Sequence, residues 1–333
     1  MFPNPQDALP LPASPSLERY KKIAKDLVAA CKSGDEKAIG KWAREWVDGL
    51  VRLSGVTFTR DLPANAEEWI NAVEDFARRT LREGCKLTKA QFVIARSHGF
   101  ESWPKFAKHL QGSASLFEKA ADAIISGDIQ TLRRLLREQP HLVRARSARE
   151  HGATLLHYVS ANGVEGYRQK TPPNIVEIAG LLLDAGAEVD ATADVYGGGC
   201  TALGLTATSI HPEKAGVQEA LMQTLLDRGA SIEKPSGGRG QSIVMACLAN
   251  GQPHAAAFLA SRGATVGKSE QLQETLGYAL WAAAHGGDPD RYIAILDALV
   301  AAGAKVPESY VALNARIDAW LSEHGSRAEP SQH

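Results

Sequence analysis

The phrase LLLDAGAEVDA at 181–191 returns three times along the chain, as LLDRGASIEK at 225–234, FLASRGATVGK at 258–268 and LVAAGAKVPE at 299–308. The shared glycines are Gly186, Gly229, Gly263 and Gly303, so successive copies lie 43, 34 and 40 residues apart. An internal period in this range predicts a stacked array of repeats. Each copy has an apolar helix end followed by a glycine that can adopt positive φ, which predicts a helix exit into a turn.

The segments before these phrases resemble the first half of the ankyrin repeat. That family opens each unit with T-P-L-H and ends the following helix near a glycine. The second unit here has TLLH at 154–157 and NG at 162–163, and weaker versions are TALG at 201–204, SIVM at 242–245 and GYAL at 277–280. The resemblance covers about two-thirds of the chain. It implies a stack of helix pairs, each buried only by its neighbours.

The resemblance implies an all-α fold, an ankyrin-type helical solenoid with short β-hairpin fingers or turns, preceded by a small helical domain. HGFESWP at 98–104 resembles a helical module that precedes such arrays in bacterial proteins. The expected segments are a disordered Pro-rich leader at 1–16, the helical module at 17–112, about five repeats at 113–306 with the first one degenerate, a capping helix at 307–325 and a disordered tail at 326–333. Because neighbouring repeats stabilise each other, we expect 113–325 to fold without the module.

Composition narrows the class of protein. The chain has 333 residues, 44% of them hydrophobic, and a net charge of −1, so no nucleic-acid or other polyanionic partner is implied. The N-terminus lacks the pattern of a signal peptide, and no apolar run is long enough to cross a membrane. Cys31, Cys85, Cys200 and Cys247 are spread out without C-x-x-C, which predicts reduced thiols in a cytoplasmic protein. We expect a monomer.

Few residues suggest chemistry. His157 completes TLLH, and the usual role of that histidine is to hydrogen-bond the backbone of adjacent turns. His211, His254 and His285 each lie near the turn between the two helices of successive units and could form a column, but they lack metal-ligand spacing. Cys200 follows three glycines, and a buried thiol is a better interpretation than a nucleophile there. The sequence therefore predicts no catalytic residue, no metal and no cofactor.

Two surfaces are candidates for binding. The first is the concave face of the stack, where large aromatic and charged side chains would act as interface hot spots. The residues predicted on it are Arg149, Glu150, Tyr158, Tyr196, Met245, Asn250, Trp281 and His285. The second is a rim made by two insertions between helices, VEGYRQKTPPN at 164–174 and SIHPEKAG at 209–216, which we expect to project from the stack. Its predicted residues are Tyr167, Arg168, Lys170, His211 and Lys214.

The function predicted from these patterns is a scaffold that binds another protein through the concave face. The alternative is an enzyme or a small-molecule sensor, with its site under the insertions 164–174 and 209–216 or at the junction of the two domains. A closed pocket with converging polar groups would favour the alternative, whereas an open concave surface would favour the scaffold.

Overall fold

The structure is a computed structural model that describes residues 4–12, 15–54, 66–111, 114–234, 237, 242–265, 269–284, 289–311 and 313–329. The described chain is mostly α-helical, which confirms the all-α prediction. Its first five helices are α1 (Leu17–Lys32), α2 (Ala38–Ser54), α3 (Ala66–Leu81), α4 (Leu87–Ser97) and α5 (Trp103–Gln111). No helix in the described ranges has both the length and the apolar character needed to cross a bilayer.

Helices α1 to α5 enclose a core of their own, called here the N-terminal core. Each helix carries apolar residues at helical spacing on one face, and those faces meet. Trp42, Trp46 and Trp69 are buried in this core. Burial of such large side chains is the main source of its stability.

A disulfide bond joins Cys31, at the end of α1, to Cys85, in the segment after α3. Helices α1 and α3 both pack against α4, which brings the two thiols together although they are 54 positions apart. The prediction of four reduced thiols was therefore wrong for this pair. Cys200 and Cys247 are free and buried.

The Pro-rich segment before α1 is ordered over the described residues 4–12, so the prediction of a disordered leader was wrong there. It contains a 3₁₀ helix, Pro5–Asp7. The Leu9 side chain is fully buried in the N-terminal core. The Leu9 N–H donates to the Ser97 carbonyl at 2.7 Å, and the Leu9 carbonyl lies 3.1 Å from His98 Nδ1. Apolar burial and paired backbone groups together hold the segment in place.

The rest of the chain is a series of helix pairs, called here the paired-helix stack. Its pairs are α6 (Ala114–Ser126) with α7 (Ile129–Glu138), a 3₁₀ helix (Leu155–Ser160) with α8 (Ile175–Asp184), α9 (Ala202–Ala207) with α11 (Gln218–Asp227), α12 (Ile243–Ala249) with α13 (Pro253–Ser261), and α14 (Ser269–Ala284) with α15 (Pro289–Ala301). A short helix, α10 (Ile210–Lys214), lies between α9 and α11. First helices contact first helices of the next pair, and from α8 onward second helices contact second helices. One continuous core, the stack core, results.

The repeated phrase ends four of the second helices in the same way. Each shared glycine has positive φ, at +94° for Gly186, +88° for Gly229, +90° for Gly263 and +104° for Gly303. The alanine after each glycine donates its N–H to the carbonyl five residues earlier, as from Ala187 to Leu182 at 3.0 Å. This geometry satisfies carbonyls that the helix end leaves without partners. The predicted helix exit is confirmed.

Two short sheets complete the fold. Strand β1 (Thr192–Ala193) pairs antiparallel with β2 (Cys200–Thr201) in a hairpin between α8 and α9. At the C-terminal end, β3 (Ser309–Tyr310) pairs parallel with β4 (Arg327–Ala328), and α16 (Ala315–Glu323) lies between them.

The C-terminal predictions need correction. The capping helix predicted at 307–325 begins only at Ala315, because residues 309–310 extend to pair as a strand and Asn314 caps the helix through its side chain. Residues 326–329 are ordered by that pairing, contrary to the predicted disordered tail, and 330–333 lie outside the described residues.

Candidate functional site

The first insertion folds inward instead of projecting. It forms a 3₁₀ helix, Gly166–Arg168, and its residues from 164 to 168 are all buried. Val164 packs in the stack core, whereas Tyr167 packs in the N-terminal core. The insertion therefore joins the two cores, and the prediction that it forms a solvent-exposed rim was wrong. Its side chains fill the space between the module and the stack.

Two charged side chains of this insertion meet two from the neighbouring segments, and we call the four the junction network: Glu118, Arg149, Glu165 and Arg168. Arg149 Nε lies 2.5 Å from Glu165 Oε1, and Arg168 Nη1 lies 2.5 Å from Glu118 Oε2. The diagonal contacts are longer, at 3.3 Å from Arg149 to Glu118 and 3.7 Å from Arg168 to Glu165. Arg149 also donates to the carbonyl of His98 at 2.6 Å, so the network reaches the end of α4.

The network is charge-balanced and largely buried. Burial alone would raise the pKa of Glu165, but Arg149 and Arg168 outweigh it and hold that pKa well below its usual range. The pKa of Glu118 is lowered in the same way, with Arg168 and Arg149 overcoming the effect of burial. Two carboxylates thus face two guanidinium groups at neutral pH. In a buried network, loss of one partner leaves an uncompensated charge, so these residues depend on each other.

Three further side chains complete the hydrogen bonding. Tyr158 donates its hydroxyl to Glu165 Oε1 at 3.4 Å, and Arg149 donates to the Tyr167 hydroxyl at 3.1 Å. His151 Nδ1 accepts from the backbone N–H of Ala153, which leaves Nε2 as the donor toward Glu165 Oε1 at 3.3 Å. These contacts orient the Glu165 carboxylate, so the network serves to fix the junction geometry.

A cavity of about 930 Å³ borders the network. Its walls come from the leader, the end of α5, helices α6 and α7 and the first insertion. His109 lies in its wall, 3.7 Å from Glu118, and burial lowers the pKa of His109 to about 4, so this imidazole is neutral at physiological pH. We call this space the junction cavity.

A second depression runs across the turns that follow the first helices of successive pairs. Its volume is about 390 Å³, and Asn162, His211, Asn250 and Tyr292 lie along it. Beside it, Tyr196 donates its hydroxyl to Asn162 Oδ1 at 2.8 Å. We call this depression the turn groove.

Only some of the residues predicted on the concave face are exposed to solvent. Arg149, Tyr158 and Met245 are buried, so the prediction that they contact a partner was wrong. Tyr158 is covered by the inward insertion, and Met245 faces the stack core. Glu150, Tyr196, Asn250 and Trp281 are exposed, and Glu150 is paired with Arg96. His285 lies outside the described residues.

The residues of the predicted rim are not brought together. Tyr167 and Arg168 are buried in the junction, while Lys170 is exposed and lines the junction cavity. His211 is half-buried along the turn groove, and Lys214 is exposed on α10. The two insertions meet only at the turn groove, where Gln169 of the first lies along the same depression as His211 of the second.

Two predicted roles are confirmed by geometry. His157 Nδ1 accepts from the Thr154 N–H at 3.1 Å, and its Nε2 lies 3.2 Å from the carbonyl of Cys200 in the next hairpin. Cys200 is 1% exposed, and burial raises the pKa of its thiol to about 11, so it is a buried thiol and not an activated nucleophile. Within the described ranges, no group of three or more His, Cys, Asp or Glu side chains is arranged to hold a metal.

Sequence reasoning missed Glu118, Glu165, His109 and the buried Leu9. The sequence signal for the burial of Glu165 was weak. In VEGYR at 164–168, a carboxylate lies between an apolar residue and a Tyr-Arg pair, and this pattern is typical of buried and of solvated turns alike. No family model matches the chain, and no curated protein matches it. The ankyrin resemblance is thus carried by the repeated phrases alone.

Proposed function

We propose that the chain is an ankyrin-type solenoid that acts as a scaffold, binding another protein through a surface that includes Tyr196, Asn250 and Trp281. The observation that carries this proposal is the exposure of two large aromatic side chains, Tyr196 at 53% and Trp281 at 60%. Large aromatic residues dominate the energetics of protein interfaces because they bury much area at low entropic cost. The repeated helix pairs would supply the rigid framework for them.

The setting of Tyr196 supports this role. Its backbone adopts φ of +52°, an uncommon conformation for a residue with a side chain, and its hydroxyl is held by Asn162. A ring fixed in advance loses little entropy on binding, which favours affinity. The adjacent turn groove presents amide, hydroxyl and imidazole groups to a bound segment, so a polar peptide is a suitable occupant.

The surface proposed here is smaller than the one predicted from sequence. Arg149, Tyr158 and Met245 are excluded because they are buried. Glu150 lies at the edge of the junction, where its carboxylate pairs with Arg96, and it is not needed for the proposal. We infer that a monomer binds its partner through the hairpin before α9 and the helix pairs that follow it, and that the N-terminal helices support the stack.

The compartment also becomes part of the proposal. The sequence predicts a cytoplasmic protein, but the Cys31–Cys85 bond is typical of an oxidising environment. We therefore propose that the protein works where this bond persists. Alkylation of protein taken directly from its native cell and denatured without reductant, followed by mass spectrometry, decides this: the two free cysteines are expected to be modified, whereas four modified cysteines would return the protein to a reducing cytoplasm.

The proposed binding surface is tested with a partner captured by cross-linking in the native cell. Tyr196→Ala and Trp281→Ala should each weaken its affinity by about 2 kcal/mol or more, which is roughly 30-fold. Leu87→Ala is the matched control, because Leu87 is 41% exposed but lies on α4. If all three variants bind the partner with the same affinity, the proposed binding surface is wrong. That result would favour the alternative function, a site for a small molecule.

A further inference from the structure

We propose that the junction cavity is a binding site for an organic anion with an apolar body. The cavity lies apart from Tyr196 and Trp281, so it is a site additional to the proposed partner surface. Its volume of about 930 Å³ is within the range of small-molecule sites, which are commonly a few hundred to about a thousand Å³. Sites of this kind often lie between packed units of a chain, as this one does.

Much of the wall is apolar. The leader contributes Leu11 and three prolines, and the helices contribute Leu110, Ile125 and Leu135. Prolines and branched aliphatic side chains present surface that has no hydrogen bonds to offer. An apolar body placed here would gain free energy from leaving water.

The carboxylates in the wall are already engaged. Glu118 is paired with Arg149 and Arg168, and Asp122 is paired with Arg168 at 2.7 Å. Asp128 accepts from the Thr131 N–H at 2.9 Å as the N-cap of α7. A cationic ligand would therefore have to compete with existing partners of these groups.

Two cationic side chains in the wall form no ion pair with another described residue. Lys119 and Lys170 are exposed and line the cavity, and among the described residues neither ammonium group has a carboxylate within ion-pair distance. Counted over the whole wall, the net formal charge is +1, from four cationic side chains, Lys119, Arg134, Arg168 and Lys170, against three carboxylates, Glu118, Asp122 and Asp128. This charge determines the sign of the ligand, because an anion is attracted and a cation is repelled.

The floor keeps capacity for a hydrogen bond. His109 is 8% exposed, and neither its Nδ1 nor Glu118 Oε1 has a hydrogen-bond partner in the described part of the chain. Both atoms have almost no accessible surface, so a ligand atom reaches the His109 nitrogen only when the imidazole ring turns toward the cavity. The neutral His109 can present either a donor or an acceptor there.

Isothermal titration calorimetry with decanoate tests the proposal on the full chain. We expect saturable binding of decanoate, weaker binding of decanol, and no binding of acetate, because both the charge and the apolar body are required. Lys119→Gln combined with Lys170→Gln should weaken decanoate binding about tenfold without affecting decanol. Lys25→Gln combined with Lys32→Gln removes the same charge from exposed positions on α1 and should leave both affinities unchanged.

Several outcomes would overturn the proposal. Decanol binding as tightly as decanoate would show that charge plays no part. Equal losses in the two double variants would show a general effect of net charge and not a site. Sedimentation with phosphatidylglycerol vesicles separates a free amphiphile from a membrane surface, and association with vesicles in the absence of decanoate binding would also contradict it. All variants change exposed lysines, so their folding is checked simply by an unchanged melting temperature.

Discussion

His157 holds two turns of neighbouring helix pairs together through both ring nitrogens. Replacement by alanine strands the Thr154 N–H and the Cys200 carbonyl in the stack core. Because unsatisfied buried groups are costly, we expect His157→Ala to lower the free energy of unfolding by about 1–3 kcal/mol. Urea denaturation measures this loss. His254→Ala, at an exposed position, is the control, and a loss no larger than the control's would disprove the structural role.

The buried histidines also predict a dependence of stability on pH. Burial lowers the pKa of His157 to about 4 and that of His98 to about 3. In the unfolded chain both would titrate near 6.5, so between pH 6.5 and about 4 the unfolded state binds more protons than the folded state. Their stabilisation is complete above pH 6.5 and is lost as the pH falls through that window. Denaturant midpoints from pH 7.5 to 4.5 should decrease, and His157→Ala should make that decrease shallower. An identical slope in the variant would contradict the assignment.

The role of a single residue can be predicted from sequence when its hydrogen-bond partners are close in sequence or belong to the next repeat. Thr154 and His157 are three residues apart, and Cys200 belongs to the next unit, so the pattern contains all three. Glu118 and Glu165 are different, because their partners Arg149 and Arg168 come from separate segments. A charged residue in a polar stretch has the same sequence signature whether it is solvated or buried, so this network could not be predicted.

The first insertion acts as a structural element of the junction. Removing residues 165–172 would delete Glu165, Tyr167 and Arg168, so Arg149 would keep only its longer contact to Glu118 and the N-terminal core would lose Tyr167. We expect the deletion variant to lose cooperative thermal unfolding, because breaking the buried Arg149–Glu165 pair alone costs about 3–5 kcal/mol. Circular dichroism melts test this. Lys170→Ala, an exposed change in the same segment, should melt like the parent chain. A stable deletion variant would show that the insertion is dispensable.

Among the elements, helices and their ends were the most predictable. The repeated glycines end helices as expected, because positive φ at that position is a local requirement. The order of the leader could not be predicted, because its five prolines before α1 suggest disorder. Burial of a single residue, Leu9, holds the segment against the N-terminal core. The second insertion contains the short helix α10, and nothing in its composition distinguishes it from the first insertion, which turns inward.

Across the whole molecule, two cores are joined by one buried junction. Tyr167 is a stack residue that packs in the N-terminal core, and Arg149 is a stack residue that binds the carbonyl of His98. These contacts weigh against the expectation that residues 113–325 fold alone. The sequence pattern suggested that the stack folds without the N-terminal helices, because repeats stabilise each other. It did not indicate which part of the chain covers the first helix pair, α6 with α7.

The measurement that tests this account most directly is denaturant unfolding followed by two probes. Four of the six tryptophans, Trp42, Trp46, Trp69 and Trp103, lie in the N-terminal helices, so fluorescence reports mainly on them. Far-ultraviolet circular dichroism reports mainly on the longer stack. If the junction couples the cores, the two midpoints coincide, and Arg149→Met lowers both together by an amount equivalent to about 3–5 kcal/mol. Separate midpoints in the parent chain, or an Arg149→Met variant in which only one midpoint moves, would contradict the account.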